Sequence, residues 1–230
     1  MTLQTIELNP GLKPGQTPTA TVIVCHGLGA DGTDFLPMAD EIDLGAIGAV
    51  RWLLPRAPVR PVTINGGHAM RAWYDILGSE LTRREDEAGL RQSFADVQQL
   101  IAAEVARGVP AHRVVLAGFS QGCAITLGAG LRCSQRLAGL AGLSGYLPLA
   151  DRTASERSAA MRDVPIFLAH GKRDGVVPLA RGSDSRDALV ALGHKVEWHE
   201  YPMEHSVCIE EVAALKQWLL RVLTPETRVQ

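Results

Sequence analysis

Several features that would mark other function classes are missing from this sequence. Its 230 residues hold four cysteines, Cys25, Cys123, Cys133 and Cys208, and no two of them form a C-x-x-C pair. A thiolate metal cage and a dithiol redox site therefore have no support. Free thiols in a reducing compartment are the expectation. No run of lysine or arginine is long enough to make a nucleic-acid patch, and the formal net charge is -2, so no nucleic-acid partner is expected. Aromatic residues make up only 5% of the chain. The longest nearly apolar run, 137–150, is broken by Ser144 and is too short to span a bilayer. Residues 1–10 lack an apolar segment and the first basic residue is Lys13, so no secretory signal is read. A cytoplasmic protein without stable membrane insertion is the expectation.

What is present is ordinary globular material. With 46% hydrophobic and 21% charged residues, one domain over 1–230 can bury a core without staples. Strand and helix signals alternate along it. Short apolar or β-branched runs at 21–25, 50–54, 114–117, 140–143, 166–169 and 195–201 read as strands. Leu90, Phe94, Val97, Ile101 and Val105 recur at helical spacing, predicting a helix over 87–107. Further helices are predicted near 35–42, 121–131 and 183–192, the last capped by Gly193, and one bears Val212, Leu215, Leu219 and Val222 on a single face. Residues 55–87 read as a long irregular stretch. This alternation implies an α/β fold: a mostly parallel central sheet with helices on both faces. In such sheets, ligands bind beyond the carboxyl ends of the strands.

The residues that follow the strands carry the chemistry. Gly118-Phe119-Ser120-Gln121-Gly122 is a G-x-S-x-G motif between a strand and a small-residue helix. That context defines a nucleophile elbow, a tight turn that lifts a serine hydroxyl above the sheet. The five-residue pattern is weak alone, and a plain tight turn is the bland alternative. A serine needs a base, and the base an orienting acid, in the chain order Ser, Asp or Glu, His. Asp174 follows the strand at 166–169, and His205 follows the strand at 195–201. His170 precedes Asp174 and breaks the order, and His199 alternates within a strand. The expected catalytic set is therefore Ser120, Asp174 and His205. Oxyanion donors are expected from the Gln121 amide, directly after the nucleophile, and from Leu28 in the turn His26-Gly27-Leu28-Gly29. Trp73 and the segment 61–81 are expected to wall the acyl site, the alternative for Trp73 being a place in the core. No metal or cofactor is expected.

The same turn reads formally as Gly27-x-Gly29-x-x-Gly32, a dinucleotide fingerprint. Asp31 and Asp34 would oppose a pyrophosphate there. The next strand ends in Pro55-Arg56, with no acid to hold a ribose and only Arg56 to offer a 2′-phosphate. A nucleotide enzyme is thus the weaker reading.

On these residues the sequence resembles the acyl-protein thioesterase/carboxylesterase family, also described as phospholipase/carboxylesterase hydrolases. The resemblance covers residues 20–220. It rests on His26-Gly27-Leu28-Gly29, Pro55-Arg56-Ala57-Pro58, Pro61-Val62-Thr63, Trp73-Tyr74-Asp75, Arg84-Glu85-Asp86 with Gly89, the serine motif and His205-Ser206-Val207. It implies an α/β-hydrolase fold with no large lid, and a serine hydrolase cleaving carboxylic esters or thioesters through an acyl-enzyme, with the same triad and the same two oxyanion donors. It also implies a small-molecule ester substrate, and it allows a homodimer. Two positions depart from the family pattern: Cys123 stands where a glycine is common, and Glu204 replaces a glycine before the histidine. A charge at Glu204 could raise the pKa of the base if it lies close enough. Lysophospholipase and acyl-protein thioesterase are the alternatives within the class, and a noncatalytic hydrolase-like binding protein is the alternative outside it.

Overall fold

A computed structural model describes residues 3–78 and 85–224. Seven strands form one sheet in the order β1-β3-β2-β6-β7-β8-β9. They are β1 (Thr5–Leu8), β2 (Ala20–Cys25), β3 (Val50–Pro55), β6 (Val114–Phe119), β7 (Gly139–Leu143), β8 (Ile166–Gly171) and β9 (Val196–Tyr201). Every neighbouring pair is parallel except β1 with β3. A separate antiparallel hairpin joins β4 (Val59–Val62) to β5 (His68–Arg71). The helices are α1 (Leu36–Glu41), α2 (Glu87–Ala106), α3 (Gln121–Leu131), α4 (Ala150–Glu156), α5 (Leu179–Ala191) and α6 (Ile209–Leu223).

The central strands are apolar on both faces because both faces are covered. Along β2, Ile23 and Cys25 point into one core, while Ala20, Val22 and Val24 point into the other. Along β6, Val114 and Leu116 alternate in the same way with Val115 and Ala117. Helices α2, α3 and α5 cover the first face through residues such as Leu90, Phe94, Ile125, Leu127 and Leu189. Helices α1 and α6 cover the second through Met38, Val212, Leu215, Trp218 and Leu219. Helix α3 is buried at every one of its positions, which accounts for a sequence that is apolar or small nearly all round. Where α2 crosses it, Gly128 lies directly under the Phe94 ring, which occupies the space a side chain would need.

The amino-terminal region of β2 and β3 is held by charge. Arg51 donates to both carboxylate oxygens of buried Glu104 at 3.1 Å, and Thr21 Oγ1 donates to the same carboxylate at 2.7 Å. Arg107 adds a further contact to Glu104 at 2.9 Å.

The predicted strands and the four longer helices are all present, with shifts at their ends. Several elements differ from expectation. The stretch read as irregular contains the β4–β5 hairpin. Strand β1 and helix α4 were not anticipated. Helix α5 begins four residues before the predicted start, with Pro178 as its N-cap. Leu81 and Arg84, which figured in the sequence reading, lie outside the described residues.

Chain order and sheet order together locate the site. Strand β2 leads outward to β3, and the chain then returns across β2 to β6. The reversal falls between β2 and β6, whose carboxyl ends align through Cys25 and Gly118. A crevice opens at such a reversal, and it is flanked by the turn after Cys25 and the turn after Phe119.

Candidate active site

Ser120 sits in the turn between β6 and α3 with φ 56° and ψ -118°. A side-chain-bearing residue rarely adopts that conformation, and holding it costs about 1–3 kcal/mol. Three backbone bonds hold it there. Ser120 N donates to the Leu143 carbonyl at 2.9 Å, and the Ser120 carbonyl accepts from the amides of Cys123 and Ala124. The flanking glycines answer a different need, close approach. A Cβ on Gly122 would run into the Cys25 carbonyl, and one on Gly118 into the Gly122 carbonyl. The motif therefore lets α3 begin almost in contact with the end of β2.

Asp174 and His205 come to this serine from the loops after β8 and β9. His205 Nδ1 lies 2.7 Å from Asp174 Oδ2, and His205 Nε2 lies 2.9 Å from Ser120 Oγ. With Asp174 ionised, Nδ1–H donates to the carboxylate, which leaves Nε2 to accept the serine proton. The Asp174 side chain has no exposed surface. Its charge is met by hydrogen bonds: Oδ1 accepts from the amides of Val176 and Val177, both at 2.8 Å. The three residues expected from sequence to act together are brought together.

Three neighbours that sequence reasoning did not assign to the site complete this arrangement. The Phe119 ring lies 4.8 Å from that of His205, centroid to centroid, and supports its face. Buried His170, set aside as a base because of chain order, stands behind the acid. Its Nε2 donates to the Val177 carbonyl at 2.8 Å and lies 3.4 Å from Asp174 Oδ2. Buried His26 begins the glycine turn and braces it from within. The only available signal for His170 was its position at the end of a strand, four residues before Asp174.

The segments that carry the two expected oxyanion donors meet at the elbow. Gln121 is the first residue of α3, where amides have no acceptor within the helix. The turn after β2 packs against the elbow, with the Cβ position of Gly27 only 3.4 Å from Ser120 Cβ. The two amides that follow Leu28 are engaged: Gly29 N donates to the Arg71 carbonyl at 2.8 Å and Ala30 N to the Gly27 carbonyl at 3.3 Å. Leu28, directly before them, is half-buried.

One expectation is corrected. Trp73 does not wall the acyl site. It is fully buried, and its indole N–H donates to the His26 carbonyl at 2.8 Å. The physical reason is that the chain enters the core just after β5: Ala72 and Tyr74 are buried beside Trp73, and the Trp73 amide donates to Gln121 Oε1 at 3.0 Å. Glu204, the departure beside the base, is exposed. The nucleotide alternative loses its cation as well, since Arg56 donates to the Asp31 carbonyl at 3.2 Å and pairs with its carboxylate at 3.5 Å.

Comparison with known proteins extends these observations to the whole chain. The model of the phospholipase/carboxylesterase family matches residues 12–223. Acyl-protein thioesterase 1 of Yarrowia lipolytica is 39% identical over 206 residues, covering 87% of this chain and 91% of that protein. Among solved structures, Zea mays acyl-protein thioesterase 2 superposes with a TM-score of 0.80 at 29% identity, covering 96% of this chain and 99% of the other. Arabidopsis thaliana SOBER1 superposes with a TM-score of 0.85 at 29% identity, covering 89% and 99%.

Proposed function

Because this chain belongs to the phospholipase/carboxylesterase family, we propose that it hydrolyses carboxylic esters, or thioesters, through an acyl-enzyme on Ser120. Ser120 Oγ attacks the substrate carbonyl while His205 Nε2 takes the hydroxyl proton. Asp174 stays ionised, fixes the imidazole tautomer and stabilises the imidazolium that forms. The Gln121 and Leu28 amides receive the oxyanion. His205 then protonates the leaving alcohol or thiol. Water attacks the acyl-enzyme by the reverse sequence, with His205 again as base.

The observation that carries this reading is the unbroken hydrogen-bond chain from Asp174 through His205 to Ser120, at 2.7 and 2.9 Å. A binding protein would have no use for a strained serine aligned with an oriented base, which disfavours the noncatalytic alternative. A p-nitrophenyl ester assay tests the reading: turnover is expected, and its loss on Ser120→Ala. Full activity of that variant would overturn the reading.

Thioesters are favoured as the second substrate class by the relatives named acyl-protein thioesterase 1. Comparing kcat/KM for matched O-acyl and S-acyl substrates separates the two classes. We read residues 1–230 as one domain acting on small-molecule esters. No helix among the described residues is long and apolar enough to cross a membrane. All four cysteines are free, and Cys25, Cys123 and Cys133 are buried, which suits a cytoplasmic enzyme. A homodimer is compatible with this reading and is checked by light scattering.

A further inference from the structure

The two oxyanion donors belong to segments far apart in sequence, and one buried chain of hydrogen bonds joins them. It starts at the Gln121 side chain, which turns away from the solvent into the core. Its carbonyl accepts from the Trp73 amide at 3.0 Å and its NH2 donates to the Tyr74 carbonyl at 2.9 Å. Both amide groups of the side chain are used, so its orientation is fixed. Gln121 therefore grips the backbone at Trp73 and Tyr74 on both sides of one peptide. From there the Trp73 indole N–H reaches the His26 carbonyl at 2.8 Å, and the two rings lie 5.3 Å apart. Ser93 donates to the Trp73 carbonyl and ties the same peptide to α2.

At the far end, His26 sets the turn that carries Leu28. Its Nδ1 donates to the Gly27 carbonyl at 2.7 Å, while Nε2 accepts from the Ala57 amide at 2.9 Å. Those roles require the neutral ring with its proton on Nδ1, and burial, the leading influence, lowers the pKa of His26 in favour of that form. Gln121, Trp73 and His26 are each nearly or fully inaccessible to solvent. None of the three side chains can therefore contact substrate without rearrangement. What they share is a path from one donor residue to the turn of the other.

We propose that the Gln121 side chain, Trp73 and His26 form a positioning strut that fixes the separation between the Gln121 and Leu28 amides. This rests on the reading of Ser120 as nucleophile and those amides as oxyanion donors. Oxyanion stabilisation depends on donors placed to match charge that appears only in the transition state. A strut fault should thus lower kcat and leave KM nearly unchanged. Gln121 gains a double role, its backbone as donor and its side chain as the anchor that sets the second donor.

The test uses Trp73→Phe, which deletes the indole N–H, Gln121→Met, which deletes the clamp, and the double variant. Each is first checked by thermal melting. For a protein-stable variant, kcat is expected to fall about tenfold with KM within about twofold, a partial loss of a donor whose full removal costs about 10²–10³. Affinity for a trifluoromethyl ketone, which forms a tetrahedral adduct with the serine, should fall by a similar factor. The double variant should be little worse than the poorer single variant, because both cut one strut. If Trp73→Phe does not fold, β-(3-benzothienyl)alanine at position 73 keeps the shape and removes only the donor. Unchanged kcat and ketone affinity in folded variants would overturn the strut, as would fully multiplicative losses. A wild type that neither binds the ketone nor is labelled at Ser120 would instead overturn the nucleophile assignment on which the strut rests.

Discussion

At the scale of single residues, the acid of the triad is the most heavily invested. Asp174 is fully inaccessible as a side chain, and two amides, one catalytic imidazole and a second histidine surround its carboxylate. An uncompensated buried carboxylate would be costly, and here hydrogen bonds to its charged form offset that cost. Asp174→Asn keeps the shape but offers His205 the wrong partner. A fall in kcat of about 10⁴ is expected with the fold retained, read by steady-state kinetics beside a circular dichroism spectrum. His170→Ala should cost less, about tenfold, because it loosens the Val176–Val177 turn and leaves the acid itself in place. A larger loss for His170→Ala than for Asp174→Asn would mean that the roles were assigned wrongly. This residue scale was also the most legible in the sequence. Ser120, Asp174 and His205 each follow a strand in the required order, and chain order alone separated His205 from His170. The supporting residues were not legible. His170, Phe119 and the Gln121 side chain act through contacts that exist only once three loops meet.

At the scale of elements, the serine turn works because β2 and α3 almost touch. Gly122 lies where any side chain would enter the Cys25 carbonyl. Gly122→Ala must therefore move backbone against backbone, and overpacking of a tight core costs about 1–3 kcal/mol or more. A lowered urea midpoint together with lost activity is expected, and a variant as stable as the wild type would show that the helix start can yield. Strands β2, β3, β6, β7 and β8 were legible because burial on both faces leaves continuous apolar runs. The β4–β5 hairpin was not. It is short and half-exposed, and Pro61 within it argues against a strand by the ordinary rules. Pairing across the hairpin, Val59 with Arg71 through Val62 with His68, overrides that local signal. Helix α4 has seven residues, too few for a periodicity to emerge. Trp73 was misplaced for a related reason: sequence showed an aromatic near the site but not which way the chain would turn it.

At the scale of the whole molecule, two buried carboxyl groups, Glu104 and Glu211, bear on stability. Glu104 and Arg51 lock α2 to the central strands. Glu104→Ala would leave buried Arg51 with only the half-buried Glu7 carboxylate, at 3.2 Å, and a loss of about 3 kcal/mol is expected in chemical denaturation. Glu211 acts in the opposite sense. It is fully buried on α6, and burial raises its pKa to about 8. Below the ordinary carboxylate range both folded and unfolded chains hold the proton. Between that range and about pH 8 the unfolded chain loses it while the folded protein keeps it, so stability falls as pH rises and then levels off. The expected span is on the order of a few kcal/mol. Glu211→Gln should flatten this dependence, gaining most at alkaline pH. Denaturation midpoints at pH 5 and pH 8.5 check it, and equal gains at both would show that Glu211 does not titrate differently on folding.

The central claim is that Ser120 is a nucleophile activated by His205 and Asp174, and covalent labelling tests it most directly. The protein is treated with a fluorophosphonate, digested and analysed by mass spectrometry, beside Ser120→Ala and His205→Ala. The account predicts one adduct per chain, on Ser120, formed in step with loss of esterase activity. It also predicts no adduct in Ser120→Ala and labelling slowed by orders of magnitude in His205→Ala. An adduct on another residue, or full esterase activity after Ser120 has been labelled to completion, would contradict it.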